Sequence, residues 1–212
     1  MAHINNWEVI TGCDRLSEGC NSCPSYWEHK EKGKDYSVVE HPELLDEPLL
    51  NPEPSLYDVA FGSDMFHGQV TLDFQKKVFD VMNAAHWHRF MVTSKRIGRA
   101  RIHSSAFKWT DNIVMVVPVE SGKYEWRIDL LKTMPAKTKV VSVVPMLGPF
   151  SKDLDLTGID AVGAQQETWG YKRFFDPKWK EDLYRQCLEQ EISFGDGATI
   201  YIKEGQKKYA IQ

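Results

Sequence analysis

Seven short runs of mostly apolar residues recur along the chain: Trp7–Ile10, Tyr57–Phe61, Arg89–Thr93, Asn112–Val117, Lys139–Val144, Ala161–Ala164 and Thr199–Ile202. Each is too short for a helix and rich enough in β-branched or aromatic residues to predict a strand. The stretches between them carry helical periodicity. Thr71 is placed to cap a helix whose Phe74, Val78, Met82 and Ala85 share one face, and Trp126, Leu130 and Met134 repeat at every fourth residue in another. Asp176-Pro177 supplies a cap and a first-turn proline to a third, in which Trp179, Leu183 and Cys187 form one stripe. Cys187 is therefore expected in the core as a small apolar residue. Alternation of strands and helices predicts an α/β fold with mostly parallel strands, either a partial (β/α)6-type barrel or an open sheet. A single domain over residues 1–212 is expected. Prolines and acidic residues interrupt any period over about residues 37–55, which reads as an irregular connection.

Composition narrows this picture modestly. The 212 residues are 42% hydrophobic and 26% charged, ordinary values for a globular protein. No apolar run approaches the ~20 residues that cross a bilayer, so no membrane partner is expected. The first residues lack the basic start and apolar stretch of a secretory signal, which points to a reducing, cytoplasmic compartment where thiols and metal ligands outrank disulfides. A net charge of −4 argues against a uniformly nucleic-acid-binding surface but leaves room for a local basic patch. Nothing in the sequence indicates the oligomeric state.

The chemistry concentrates in one loop. Cys13, Cys20 and Cys23 follow the first strand with C-x6-C-x2-C spacing, among Gly12, Gly19, Ser17 and Asn21. Iron–sulfur clusters are held by cysteine thiolates, usually four, so three thiolates around a [4Fe–4S] cluster leave one iron open to a reacting ligand. Other readings stay open: a Cys3His zinc site completed by His29, a Cys20–Cys23 redox dithiol, or buried structural thiols.

The ordered series Thr11-Gly12-Cys13, Gly19-Cys20-x-x-Cys23, Gly62-Ser63-Asp64-Met65-Phe66-His67, Thr93-Ser94-Lys95-Arg96, Val117-Pro118-Val119-Glu120, Pro145-Met146-Leu147-Gly148-Pro149 and Ile202-Lys203 resembles a family of compact phage and prophage proteins of unassigned function, themselves similar to radical S-adenosylmethionine enzymes. The likeness covers most of the chain. Two positions depart from the family pattern: Pro24 stands where an aromatic usually follows the third cysteine, and Val144 where a carboxylate usually precedes Pro-x-Leu-Gly.

The resemblance implies that Cys13, Cys20 and Cys23 hold three irons of a [4Fe–4S] cluster and that the amino and carboxylate groups of S-adenosylmethionine chelate the fourth. An external electron donor would reduce the cluster, and the 5′-deoxyadenosyl radical would abstract hydrogen from the substrate. Gly62, Ser63 and Asp64 match the segment expected to meet the cofactor's amino group. Ser94 and Lys95 are further cofactor-binding candidates, Lys95 pairing with its carboxylate, and Glu120 would accept from its ribose hydroxyls. Arg127 reads as a solvated residue.

The substrate is indicated more thinly. Lys95, Arg96, Arg99, Arg101, His103 and Lys108 form a stretch without an acid that could follow a phosphate backbone or be a solvated basic helix. Lys203, Lys207 and Lys208 add positive charge near the C-terminus, while Tyr26, Trp27, Phe66 and Trp169 offer flat faces for a base. His67, Gln165, Gln166 and Glu167 are contact candidates by placement at strand ends. His86-x-His88 reads as a turn before the next strand rather than a second metal site. Similarity to phage hypermodification enzymes implies an isomerase acting on an amino-acid-modified thymine in phage DNA, within an infected bacterial cell. A small metabolite or peptide substrate, and a zinc-stabilised module without turnover, are the alternatives.

Overall fold

The computed structural model describes residues 4–196. Its strands are β1 (Ile4–Trp7), β2 (Ile10–Thr11), β3 (Val39–Glu40), β4 (Leu56–Val59), β5 (Arg89–Thr93), β6 (Ile113–Pro118), β7 (Thr138–Val143), β8 (Ala161–Ala164) and β9 (Ser193–Asp196). Its helices are α1 (Pro24–Glu31), α2 (Glu47–Leu50), α3 (Leu72–Ala84), α4 (Ile97–His103), α5 (Trp126–Lys132) and α6 (Pro177–Glu189). Seven strands form one sheet in the order β1-β4-β5-β6-β7-β8-β9, and every pairing in it is parallel. The remaining two, β2 and β3, pair antiparallel as a separate ribbon.

The predicted first strand, Trp7–Ile10, divides between two elements: the sheet strand ends at Trp7, and Ile10 begins the ribbon. Strand β9 escaped the sequence pattern because Ser193-Phe194-Gly195-Asp196 is neither β-branched nor alternating. The expected strand Thr199–Ile202, with Lys203, Lys207 and Lys208, lies outside the described residues.

Strand periodicity sorts the core into two layers. Tyr57, Val59, Phe90, Val92, Met115, Val117, Val141 and Val143 face the main cluster with the helices. Leu56, Met91, Val114, Val116, Val140 and Ala161 face the other way in a smaller cluster. Thr71 caps α3 by accepting the Phe74 N–H at 3.2 Å, and Phe74, Val78 and Met82 are buried as the pattern predicts. Asp176 caps α6 by accepting the Lys178 N–H at 2.9 Å, and Cys187 is fully buried.

Helix α5 corrects the sequence reading. Its buried stripe is Arg127, Ile128 and Leu131, whereas Trp126 is 52% exposed. The four-residue repeat fits two neighbouring faces, and burying the Arg127 charge against a partner elsewhere in the chain selects between them. His88 is likewise structural. Its Nδ1 accepts the Ser55 N–H at 3.1 Å and its Nε2 lies 2.9 and 3.0 Å from the carbonyls of Pro48 and Asn51, pinning the irregular connection onto β5.

A sequentially ordered parallel sheet brings the carboxyl ends of all its strands to one edge, where parallel α/β proteins build their sites.

Candidate active site at the strand ends

Loops leaving the strand ends enclose a cavity of about 440 Å³ that takes its lining from nearly the whole length of the described chain. Cys13, Cys20 and Cys23 are all on its wall, free and half-buried. Gly62, Ser63 and Asp64 after β4, Ser94 and Lys95 after β5, and Glu167 and Trp169 beyond β8 line it too. Residues separated by up to about 150 positions of sequence thus meet, as the series of strand-end motifs predicts.

The cysteine loop is held by local geometry. Gly12 has φ of +76°, and a Cβ there would collide with the Ser37 carbonyl. Only glycine meets both demands. Its own carbonyl accepts from Ser63 Oγ, and the Cys13 N–H donates to the Tyr36 carbonyl at 3.2 Å. Gly12→Ala is therefore expected to displace Cys13 and lower the melting temperature by several degrees, measurable by scanning calorimetry. Cys20 sits in a 3-10 turn over Glu18–Ser22, and Cys23 directly precedes α1, whose first residue is Pro24. The proline that departs from the family pattern occupies the first helical position, where its missing N–H costs nothing.

The thiols differ electrostatically. Burial, with the nearby Asp64, pushes the Cys13 thiol up to about 12 against the pull of Arg96, whose Nη2 is 4.0 Å away. Burial alone would also raise Cys20, but the Lys95 ammonium at 3.3 Å and the backbone N–H groups around Ser17 outweigh it and hold the thiol below its ordinary value. Thiolate is the form that binds metal.

Lys95 is itself positioned from behind. Its Nζ lies 2.6 Å from Glu120 Oε1 and 3.0 Å from Ser17 Oγ. Glu120 is fully buried; its Oε1 also accepts from Ser17 Oγ, and its Oε2 accepts from Arg127 Nη1 at 3.0 Å. Arg127 is 1% exposed, donates to the Pro118 carbonyl at 2.8 Å, and lies over the Tyr124 ring at 4.3 Å. Two expectations change accordingly. Glu120 has both oxygens engaged and stands behind Lys95 rather than open to a ribose, and Arg127 is a buried counter-charge rather than a solvated one. Gly19 packs against Glu120 so closely that an added Cβ would lie 2.5 Å from Oε1.

Asp64 ties two strand ends together. Its Oδ1 accepts from Ser94 Oγ at 2.7 Å and the Phe66 N–H at 2.9 Å, and its Oδ2 from the Lys95 N–H at 3.1 Å. Burial raises its carboxyl against these bonds. Arg96 reaches across to Asp14, so the Ser94–Arg96 turn and the Cys13 loop are held together by charge.

Most of the substrate-contact candidates fall outside the main cavity, Glu167 excepted. His67 lines an adjoining recess with Cys13, Tyr36 and Arg96; its Nε2 is 3.2 Å from Asp14 Oδ1 but off the hydrogen-bonding direction. Tyr26 packs edge-on against Trp27 and Tyr36, under the Arg15 guanidinium. Gln166 is exposed, and its neighbour Gln165 lines the cavity instead. Glu167 is clamped by Arg173, whose Nε donates to it at 2.9 Å. Arg99 donates to the Val70 carbonyl at 3.2 Å and Arg101 is exposed on α4, neither of them on the cavity wall. Phe66 is fully buried in the core and offers no face to a base.

Among the described residues no three His, Cys, Asp or Glu side chains converge on one metal-ion position. Tetrahedral zinc needs its sulfur ligands about 2.3 Å from a common centre, and the three thiols share no such point with His29, whose Nδ1 is 2.8 Å from the Ser25 carbonyl and whose ring packs against Tyr36. As placed, these residues do not form a Cys3His site.

Sequence reasoning missed Asp58, Arg96 as a clamp, and Tyr36, whose hydroxyl donates to the Gly62 carbonyl at 2.6 Å. For Asp58 a signal existed: a lone acid inside the apolar run Leu56-Tyr57-Asp58-Val59.

A sequence profile described as "Protein of unknown function (DUF5131)" matches residues 3–196, a span that carries all the described strands and the cavity lining. The chain belongs to this family. No curated protein and no solved structure matches this DUF5131 chain. No helix among its described residues is long and apolar enough to cross a membrane.

Proposed function

We propose that this DUF5131 protein is a radical S-adenosylmethionine enzyme built on an open partial barrel, acting on an amino-acid-modified thymine in phage DNA, as an isomerase in the bacterial cytoplasm. The observation that carries the reading is the convergence of Cys13, Cys20 and Cys23 on one cavity at the carboxyl ends of a sequentially ordered parallel sheet. A cubane cluster spreads its thiolates over several irons and so needs no common ligand point, which suits three thiols on one wall without a single-ion site. Cys13, Cys20 and Cys23 would hold the cluster. When bound, cluster and S-adenosylmethionine would supply a 5′-deoxyadenosyl radical, with electrons from an external donor.

The chain's own residues have supporting tasks in this reading. Lys95 favours the thiolate of Cys20, and Glu120 with Arg127 fixes Lys95. Asp64 and Ser94 tie the two strand ends together at the cavity wall. The largely apolar wall, including Met91, Val116 and Trp169, excludes water from a reactive intermediate. A base inside duplex DNA would have to turn out of its stack to reach this cavity. Exposed Arg101 and Lys108 offer phosphate contacts beyond the rim. The thymine and isomerase parts rest on the likeness to hypermodification enzymes.

Anaerobic reconstitution with iron and sulfide is expected to give a brown protein that, once reduced, converts S-adenosylmethionine to 5′-deoxyadenosine. A colourless protein with stoichiometric zinc would overturn the proposal in favour of a non-catalytic module. Mass spectrometry of nucleosides from phage DNA made with and without the active protein is expected to reveal an isobaric modified base. Unchanged nucleosides would move the substrate to a metabolite or peptide.

A further inference from the structure

Among the described residues, Asp58 is the one buried acid on the sheet face that floors the cavity. It sits in the middle of β4, opposite Met91 of β5 and Asn6 of β1 in register, on the face shared by Leu56, Met91 and Val116. It is 6% exposed, and its Oδ1 finds no hydrogen-bond partner in the described protein. The other charged groups on the wall are engaged: Lys95 with Glu120, Arg96 with Asp14, Asp64 with Ser94 and Glu167 with Arg173. A desolvated carboxyl left alone is costly, and a native protein that keeps one in a cavity has a use for it.

The sign of the surroundings selects the partner. Glu8, just past β1, acts on Asp58 as a second acid; its carboxyl accepts from the Gly62 backbone and is itself raised by burial. Arg89, two residues before Met91 on the same face of β5, is the cation on the adjoining strand. A neutral donor would satisfy one lone pair, whereas a cation also relieves repulsion between the acids and makes a charge-assisted bond. We propose that Asp58 is a substrate-binding residue whose carboxylate receives the ammonium group of an amine-bearing ligand, the rest of that ligand lying against Met91, Val116 and Trp169. The inference deepens the reading above and rests on it only for the nucleobase body of the ligand; the amine subsite stands on the cavity alone.

Burial, with Glu8, pushes the Asp58 carboxyl up to about 7, so near neutrality it exchanges a proton as a cation arrives. Binding of an ammonium should therefore release a proton and strengthen as pH rises from 6 to 8, while the amine stays protonated.

The test uses the full chain with two probes, 5-aminomethyl-2′-deoxyuridine and n-butylamine, and thymidine as control, followed by the Asp58 side-chain carbonyl resonance and by titration calorimetry. At pH 8 the aminomethyl nucleoside should bind at least tenfold more tightly than thymidine, and Asp58→Asn should remove that preference while leaving thymidine unchanged. If n-butylamine binds through Asp58 but the aminomethyl nucleoside binds no better than n-butylamine, the amine subsite stands and the nucleobase reading falls. Equal affinity of wild type and Asp58→Asn for both amines, or no amine binding at all, overturns the proposal, whatever the outcome of S-adenosylmethionine cleavage. Folding of the variant is checked separately. Because the native carboxyl binds its proton more tightly than the unfolded one, wild-type stability falls as pH rises from the ordinary carboxylate range to about 7, so Asp58→Asn should gain in melting temperature at pH 8 relative to pH 5.

Discussion

Glu120→Ala is expected to destabilise the protein by about 3–5 kcal/mol in denaturant titration, the range for breaking a buried ion pair from one side. The loss is large because Arg127 is 1% exposed and keeps the Pro118 carbonyl and the Tyr124 and Trp126 ring faces, none of which replaces a full counter-charge. Lys95 loses its closest anion in the same step. A double variant, Glu120→Gln with Arg127→Met, removes both charges and should recover much of the stability, since a buried pair replaced by well-packed neutral groups costs little. No recovery would mean that the pair is held by shape rather than charge. The pH dependence carries a sign as well. Burial opposes ionisation of Glu120, but Lys95, Ser17 and Arg127 outweigh it and hold the carboxyl below its ordinary value. Its contribution is thus complete above the ordinary carboxylate range and lost as pH falls through the lowered native value. Glu120→Ala should flatten the acid limb of the stability curve.

Replacing Cys13, Cys20 or Cys23 singly by serine should abolish both iron–sulfur absorbance and S-adenosylmethionine cleavage, by at least 100-fold. Each thiolate would hold one iron, and a hydroxyl is a poor substitute at neutral pH. Cys187→Ala provides the internal control. Cys187 is fully buried in α6, where burial pushes its thiol up to about 12, so this variant should keep its colour and cleavage while losing modest core packing. Loss of colour in the control, or its retention in all three loop variants, would refute the ligand assignment. Cys20→Ser should also release Lys95 from its 3.3 Å contact with sulfur, which the two sibling variants leave in place.

The parts of this site written in adjacent residues could be read directly. Five strands came within two residues of their places, because each is an apolar run bounded by polar turns. Two caps, Thr71 and Asp176, were visible for the same local reason. Local signals failed where two frames fit equally, as with Trp126 and Arg127 in α5, or where composition was neutral, as in β9. The strand-end motifs did mark residues that share a cavity, but their partners were hidden. Glu120 looked like an open acceptor until Lys95, Ser17 and Arg127 were seen around it. Phe66 looked like a stacking face until the core closed over it.

By itself, then, the sequence determined the alternation of strands and helices, the three-thiol loop and the strand ends worth attention, since periodicity, turn chemistry and cysteine spacing are short-range properties. Only the tertiary structure decided which charges cancel one another and which acid is left over. That choice depends on strand register and on contacts between residues about 25 to 75 positions apart: parallel pairing sets Asp58 on the cavity face beside Met91, while the turn after β5 delivers Lys95 to both Cys20 and Glu120.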